Sequence, residues 1–215
     1  MSTCRYGAPV TTPSRGRGRP ARHSPQELLD LVVAVFNERG YDATSMADLA
    51  RATGLTKSAV YHHVAGKEEL LRLAVARAVD ALFAVLDEPA SRGGPAVDRL
   101  EHVVRRSAEV LVEQLPYVTL LLRVRGNTEA ERWALGRRRE LDRRLAALVQ
   151  HAIDEGDVRG DVDPALVARL LFGMVNGVAE WYRPSSRKQV DVAEALVALA
   201  FGGLRSHCAA DPPRS

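Results

Sequence analysis

The sequence predicts an all-α protein in two parts: three short helices joined by tight turns, then a larger body of longer helices. Three observations predict it. Ala, Leu, Val, Arg and Glu dominate while aromatic residues make up only 5%, a mixture that favours helix over sheet. Apolar residues recur at helical spacing, and no strand-like alternation is sustained. Helix-start signals follow one another closely at Ser24, Ser45 and Thr56.

The first helix opens at Ser24-Pro25-Gln26-Glu27, a capping box with proline at the first helical position. Leu28, Val32, Val35 and Phe36 lie on one face, and Gly40 is expected to close the helix in a left-handed cap. Ser45 and Asp48 cap the second helix, which stops at Gly54. Thr56 caps a third, from Lys57 to about His63, and Lys67-Glu68-Glu69-Leu70 opens a long fourth reaching about Asp87. Residues 91–95 read as a loop. A helix from about Ala96 to Glu113 follows, which Pro116 ends or kinks. A short apolar helix is expected over 117–125, a long one from Thr128 to about Glu155, one from Pro164 that Arg183-Pro184-Ser185-Ser186 breaks, and a last over about 190–205. The expected division is a basic arm at 1–23, a three-helix unit at 24–70, a helical body at 71–208 and a tail at 209–215.

Composition narrows the function. Hydrophobic residues at 46% and charged residues at 27% suit a globular chain of 215 residues. Cys4 and Cys208 form neither a Cys-x-x-Cys pair nor a metal-ligand spacing, so no disulfide framework, metal or cofactor is expected and a reducing cytoplasm fits. The chain starts without an apolar leader. Its most apolar stretch, 164–182, is interrupted by Arg169, Asn176 and Glu180, which argues for a buried helix and against a membrane span. Net charge is only +3, but Arg5, Arg15, Arg17, Arg19 and Arg22 all precede the first acid, Glu27. A basic, Gly/Pro-rich arm ahead of a folded unit is expected to be disordered when free and to suit a polyanionic partner.

The second and third helices have the logic of a DNA-reading pair. Two helices that cross closely need a small residue at the crossing, here Ala50, and a turn tolerant of positive φ, here Gly54. Val60 would pack the third helix onto the second, leaving its other face free for a major groove. That face carries Thr56, Lys57, Ser58, Tyr61 and His62, with no acid to repel phosphate. Lys57, Ser58 and His62 suit base edges, whereas Thr44 and Tyr61 suit phosphate oxygens. Lys67, at a helix N-terminus, adds charge to free backbone N–H groups. Tyr61 has a second reading as a half-buried core tyrosine. His62 and His63 are adjacent and diverge on a helix, so they are not a metal pair.

The run from Gly40 through Ala50, continuing from Ala52 to His63 and closing with Lys67-Glu68-Glu69-Leu70, resembles the DNA-binding domain of the TetR family of bacterial regulators. The resemblance covers about residues 24–70 and departs at Val64, where the family usually has Phe. It implies a helix-turn-helix DNA-binding domain followed by a helical ligand-binding and dimerisation domain, in a homodimeric repressor that binds double-stranded DNA and is released by a small-molecule inducer. Arg17-Gly18-Arg19-Pro20 resembles the core of an AT-hook, which would lay Arg15, Arg17 and Arg19 in a minor groove; the other reading is a tail that adds only non-specific attraction.

In the body, Leu170, Met174 and Val178 are expected to pack against Leu196, Ala200 and Leu204, the two helices pairing with their symmetry mates in a four-helix bundle. A simple intramolecular core would use some of the same residues. Expected ligand-lining residues are Tyr117, Leu121, Leu122, Arg125, Trp133, Arg137, Phe172 and Asn176. Asn176 interrupts an apolar helix and needs a hydrogen-bond partner, either ligand or backbone. Arg137-Arg138-Arg139 reads as a phosphate-holding cluster or as a solvated helix face. Phe172-Gly173-Met174-Val175-Asn176 with Trp181-Tyr182-Arg183-Pro184 resembles TetR-family regulators of fatty-acid, sterol or phenylacetate breakdown, which implies an acyl-CoA thioester as inducer.

Two other classes fit the sequence less well. An enzyme would need a nucleophile set or a phosphate-cradling Gly loop, and neither motif occurs. A purely architectural DNA-binding protein would need little more than the arm and the helix pair, whereas most of this chain lies in the body.

Overall fold

The computed structural model describes residues 24–184 and 191–204, the side chains of His62, His63 and Leu204 excepted. Ten helices run through these residues: α1 (Pro25–Arg39), α2 (Met46–Thr53), α3 (Lys57–His63), α4 (Lys67–Asp87), α5 (Pro89–Arg92), α6 (Ala96–Glu113), α7 (Leu115–Arg123), α8 (Glu129–Asp154), α9 (Pro164–Trp181) and α10 (Val192–Leu204). None of the described helices is long and apolar enough to cross a membrane.

The helix starts follow their side chains. Ser24 accepts the Glu27 N–H while the Glu27 carboxylate takes the Ser24 N–H, so two otherwise orphaned donors are satisfied. Ser45 with Asp48 and Thr128 with Glu131 repeat the device at α2 and α8, and Asp163 caps α9 ahead of Pro164. Gly54 ends α2 at φ 68°, ψ 13°, the left-handed conformation the turn requires. Gly40 also has positive φ (86°), but its ψ of 146° takes it out of the left-handed helical well into a region open essentially to glycine alone. The expected left-handed cap of α1 is therefore corrected to a sharper, extended exit. Two further boundaries differ. Pro116 starts α7 instead of preceding it, because a first-turn proline lacks only an N–H that has no helical partner there. The short α5, opened by Pro89, occupies part of the stretch read as loop.

One continuous core runs from Val32 to Phe201. α4 is its spine, burying Leu70, Leu71, Ala74, Val75, Ala78 and Val79. It touches α1 on one side and α6, α7 and α8 on the others. α8 and α9 pack side by side, and α10 lies chiefly on α6 instead of pairing broadly with α9.

Candidate nucleic-acid interface and sensing body

The N-terminal helices divide cleanly into an inner and an outer face. Leu49, Ala50, Val60 and Val64 are buried. Thr53 is buried as well, its hydroxyl donating to the Leu49 carbonyl at 2.9 Å, and the Leu55 N–H donates to the Ala50 carbonyl across the turn. With α3 held on that side, Thr56, Lys57 and Ser58 are exposed and Tyr61 is 46% exposed. The first turn of α3 carries no acid. Thr56 accepts the Ala59 N–H, which leaves its own hydroxyl proton available to another acceptor. The outward placement of Tyr61 disfavours the core reading of that residue.

The other candidates fall differently. Thr44 is 2% exposed and its hydroxyl donates to the Gly40 carbonyl at 2.7 Å. That bond satisfies the extended exit of α1 and takes the hydroxyl away from the phosphate role, so Thr44 is left out of the contact set. Lys67 donates to the Tyr41 carbonyl at 2.9 Å and sits 4.2 Å over the Tyr41 ring, pinning the α1–α2 loop. Its ammonium has further donors to give. Tyr41 stacks edge-on against Phe36, and its hydroxyl pKa is pushed up to about 12, first by burial and then by Glu68. His62 lies on α3 with an undescribed side chain, and Arg15, Arg17 and Arg19 lie outside the described residues. Sequence reasoning passed over Arg39 and Arg51, exposed cations that flank Asp48 at 3.6 and 3.1 Å. A hydrogen bond from Ser45 and these two cations hold the Asp48 carboxyl below its usual range.

The eight expected ligand-lining residues do not form one set. Leu121, Leu122, Phe172 and Asn176 line one cavity of about 30 Å³ between α7, α8 and α9, closed by Leu82 of α4. That volume holds a water or two. Among the described residues, the Asn176 side chain has no hydrogen-bond partner in the protein. The same wall carries Arg138, expected as part of the arginine run, and Asp142, which sequence reasoning passed over because charged residues on a helix usually face water. Burial pushes the Asp142 carboxyl up, against the opposing pull of Arg138 and Arg169.

The remaining four sit elsewhere. Tyr117 lies at the seam between α1 and the body: its hydroxyl donates to Asp30 and accepts from Gln26 at 2.9 Å, while Arg77 lies 4.5 Å over its ring. Its pKa is pushed up to about 12, chiefly by burial. Arg125 lines a larger cleft of about 530 Å³ between the α1–α2 loop and the end of α7. Trp133 is partly exposed beside Glu68, Glu69 and Arg72. Arg137 stacks 3.8 Å over Phe83 and ion-pairs with Glu140. The arginine run thus splits three ways: Arg137 onto an aromatic ring, Arg138 toward the cavity and Arg139 into solvent. Glu131, also unanticipated, is buried and accepts backbone N–H groups from Asn127 and Thr128 at 2.5 and 3.2 Å, which fixes the α7–α8 corner.

The expected dimer set divides too. Val178, Leu196 and Ala200 point into the protomer's own core, and the Leu204 side chain is outside the description. Leu170 is 59% and Met174 41% exposed. They continue a row along α9 with Leu166 and Trp181, and Leu199 of α10 is exposed as well.

Comparison with known proteins agrees with this architecture. The family model described as "Bacterial regulatory proteins, tetR family" matches residues 28–74, and "Tetracyclin repressor-like, C-terminal domain" matches residues 93–204. The HTH-type transcriptional repressor KstR2 of Mycobacterium tuberculosis is 28% identical over 187 residues, covering 83% of this chain and 91% of the relative. The crystal structure of SCO3833, a TetR transcriptional regulator family member from Streptomyces coelicolor A3, superposes with a TM-score of 0.79 at 57% identity, over 89% of this chain and 98% of that one. AibR, solved in complex with isovaleryl coenzyme A and operator DNA, shares the fold at a TM-score of 0.71 and 24% identity, over 82% of this chain and 97% of that one. With its N-terminal helix-turn-helix, its helical body and a family match over more than half its length, this chain belongs to the TetR family of bacterial regulatory proteins.

Proposed function

We propose that the chain is a homodimeric transcriptional repressor that reads a palindromic operator with paired α3 helices and is released when a small molecule enters the body. One observation carries the reading: α3 turns Thr56, Lys57, Ser58 and Tyr61 outward while Val60 anchors it from behind. A single seven-residue helix touches few base pairs. Two of them about 34–36 Å apart would read one face of a palindrome. The uncovered apolar row of Leu166, Leu170, Met174 and Trp181 supports a twofold partner along α9. The arm residues Arg15, Arg17 and Arg19 are proposed minor-groove contacts beside each half-site.

For the inducer we propose an acyl-CoA thioester. The support is the co-crystal of AibR with isovaleryl coenzyme A, and a cavity that pairs apolar walls with Arg138 and with Asn176, which has no partner among the described residues. At about 30 Å³ that cavity must widen many-fold to admit an acyl chain, so binding and a change of body shape are one event. The test is a footprint on duplex selected by the protein from a randomised pool, repeated with isovaleryl coenzyme A. One protected palindrome that is released by the thioester supports the reading. Protection without sequence preference defeats the operator; protection that no thioester relieves, with native mass spectra free of bound ligand, defeats the inducer class.

A further inference from the structure

We propose that the cleft between the α1–α2 loop and the end of α7 is a second ligand site, built for a small sugar phosphate, free or as part of a nucleotide. Its volume of about 530 Å³ lies within the span of about 300–1,000 Å³ usual for small-molecule sites. It shares no lining residue with the cavity between α7, α8 and α9. Three guanidinium groups line it: Arg39 at the end of α1, Arg123 at the end of α7 and Arg125 in the loop beyond. Arg123 gives one N–H to the Asn37 carbonyl at 2.7 Å, and Arg39 lies 3.6 Å from Asp48. The Arg125 guanidinium has no hydrogen-bond or ion-pair partner among the described residues. A guanidinium carries its donors in a planar fork that matches phosphate, so most of this donor set is left for an anion.

The acceptors on the same lining call for more than an anion. Asn37 Nδ2 donates to the Pro116 carbonyl at 2.7 Å, and because a carbonyl only accepts, this bond fixes which way the amide points. The Asn37 Oδ1 is left buried and without a partner among the described residues. A buried acceptor in that position has lost water and gained no bond. Asp42 accepts one long bond, from the Asn127 amide at 3.4 Å, and has lone pairs to spare. Glu131 is already committed, to the backbone N–H groups of Asn127 and Thr128. Leu71 and Leu120 add apolar surface. A simple anion or an apolar acid would use the arginines and leave Asn37 and Asp42 bare. A phosphate ester with several hydroxyl donors and a C–H face satisfies all three kinds of group at once.

The test is a calorimetric titration of the full chain with ribose 5-phosphate, glucose 6-phosphate, adenosine 5′-monophosphate and inorganic phosphate. At least one of the three esters should bind, and which one says whether a free sugar phosphate or a nucleotide fills the site. Arg125→Ala should weaken that ester and inorganic phosphate alike, by roughly tenfold, the worth of a hydrogen bond to a charged group. Asn37→Ala should weaken the ester by a similar factor while phosphate stays within about twofold, because only the ester has hydroxyls to give. Asp42→Ala takes its place if Asn37→Ala fails to fold. Arg139→Ala, which removes a cation remote from the cleft, should change neither. Three outcomes overturn the site: affinity weaker than about 1 mM for all three esters, inorganic phosphate bound as tightly as the best ester, or a loss on Arg139→Ala equal to that on Arg125→Ala.

Discussion

The N-terminal helices and the body are held together by different kinds of information. Between Ser24 and Lys67 nearly every feature comes from groups three or four residues apart: the boxes at Ser24–Glu27 and Ser45–Asp48, the Thr56 cap, the Thr53 hydroxyl on the Leu49 carbonyl. In the body the deciding contacts span long stretches of chain. Tyr117 meets Asp30 across 87 positions, and Glu68 accepts the Ala130 N–H across 62. Short-range geometry makes a unit that presents a fixed surface; long-range packing makes one that holds only while distant segments of chain stay together.

The sharpest way to break this contrast is to attack the small core that backs α3. Leu49→Ala should remove about 2–5 kcal/mol from the N-terminal unit. Chemical denaturation followed by far-UV circular dichroism should show that unit melting ahead of the body; a single shared transition would mean that the two do not differ as described. Next in size, Tyr61→Ala should weaken DNA binding by about 1.5–3 kcal/mol, the worth of a hydrogen bond to a charged phosphate, in a gel-shift titration while leaving the melting temperature in place. Unchanged affinity would remove Tyr61 from the interface. Ser45→Ala deletes the α2 cap and should lower stability by about 1 kcal/mol, read from the denaturant midpoint.

The smallest effect belongs to the body. Asp142 has its carboxyl pushed up by burial. A group whose folded pKa lies above its unfolded one destabilises the fold at all pH above the folded value, and that penalty disappears as pH falls through the folded pKa to the unfolded one. Asp142→Asn should therefore raise the melting temperature slightly at neutral pH, and the gain should shrink on acidification. A gain that persists at acid pH would show that the penalty is steric.

The same contrast explains what could be read in advance. The caps, the Gly54 turn and the outward face of α3 were legible because each is written within one or two helical turns. The Gly40 exit was half legible: a positive φ was foreseeable, but ψ was set by the Thr44 hydroxyl reaching back to the Gly40 carbonyl. Tyr117 was misplaced because its partners lie on a helix nearly ninety residues away. In α9 the difficulty was one of pattern. A helix apolar nearly all round has no single stripe to choose, so Val178 and Met174 looked equivalent although one is buried and the other open.

That open row on α9 has a consequence for the protein in dilute solution. A lone folded chain keeps Leu166, Leu170, Met174 and Trp181 against water. If a second copy covers them, resistance to heat becomes a property of how much protein is present: the melting point climbs with each rise in concentration. Scarcity alone would then leave the molecule easier to unfold and easier to degrade.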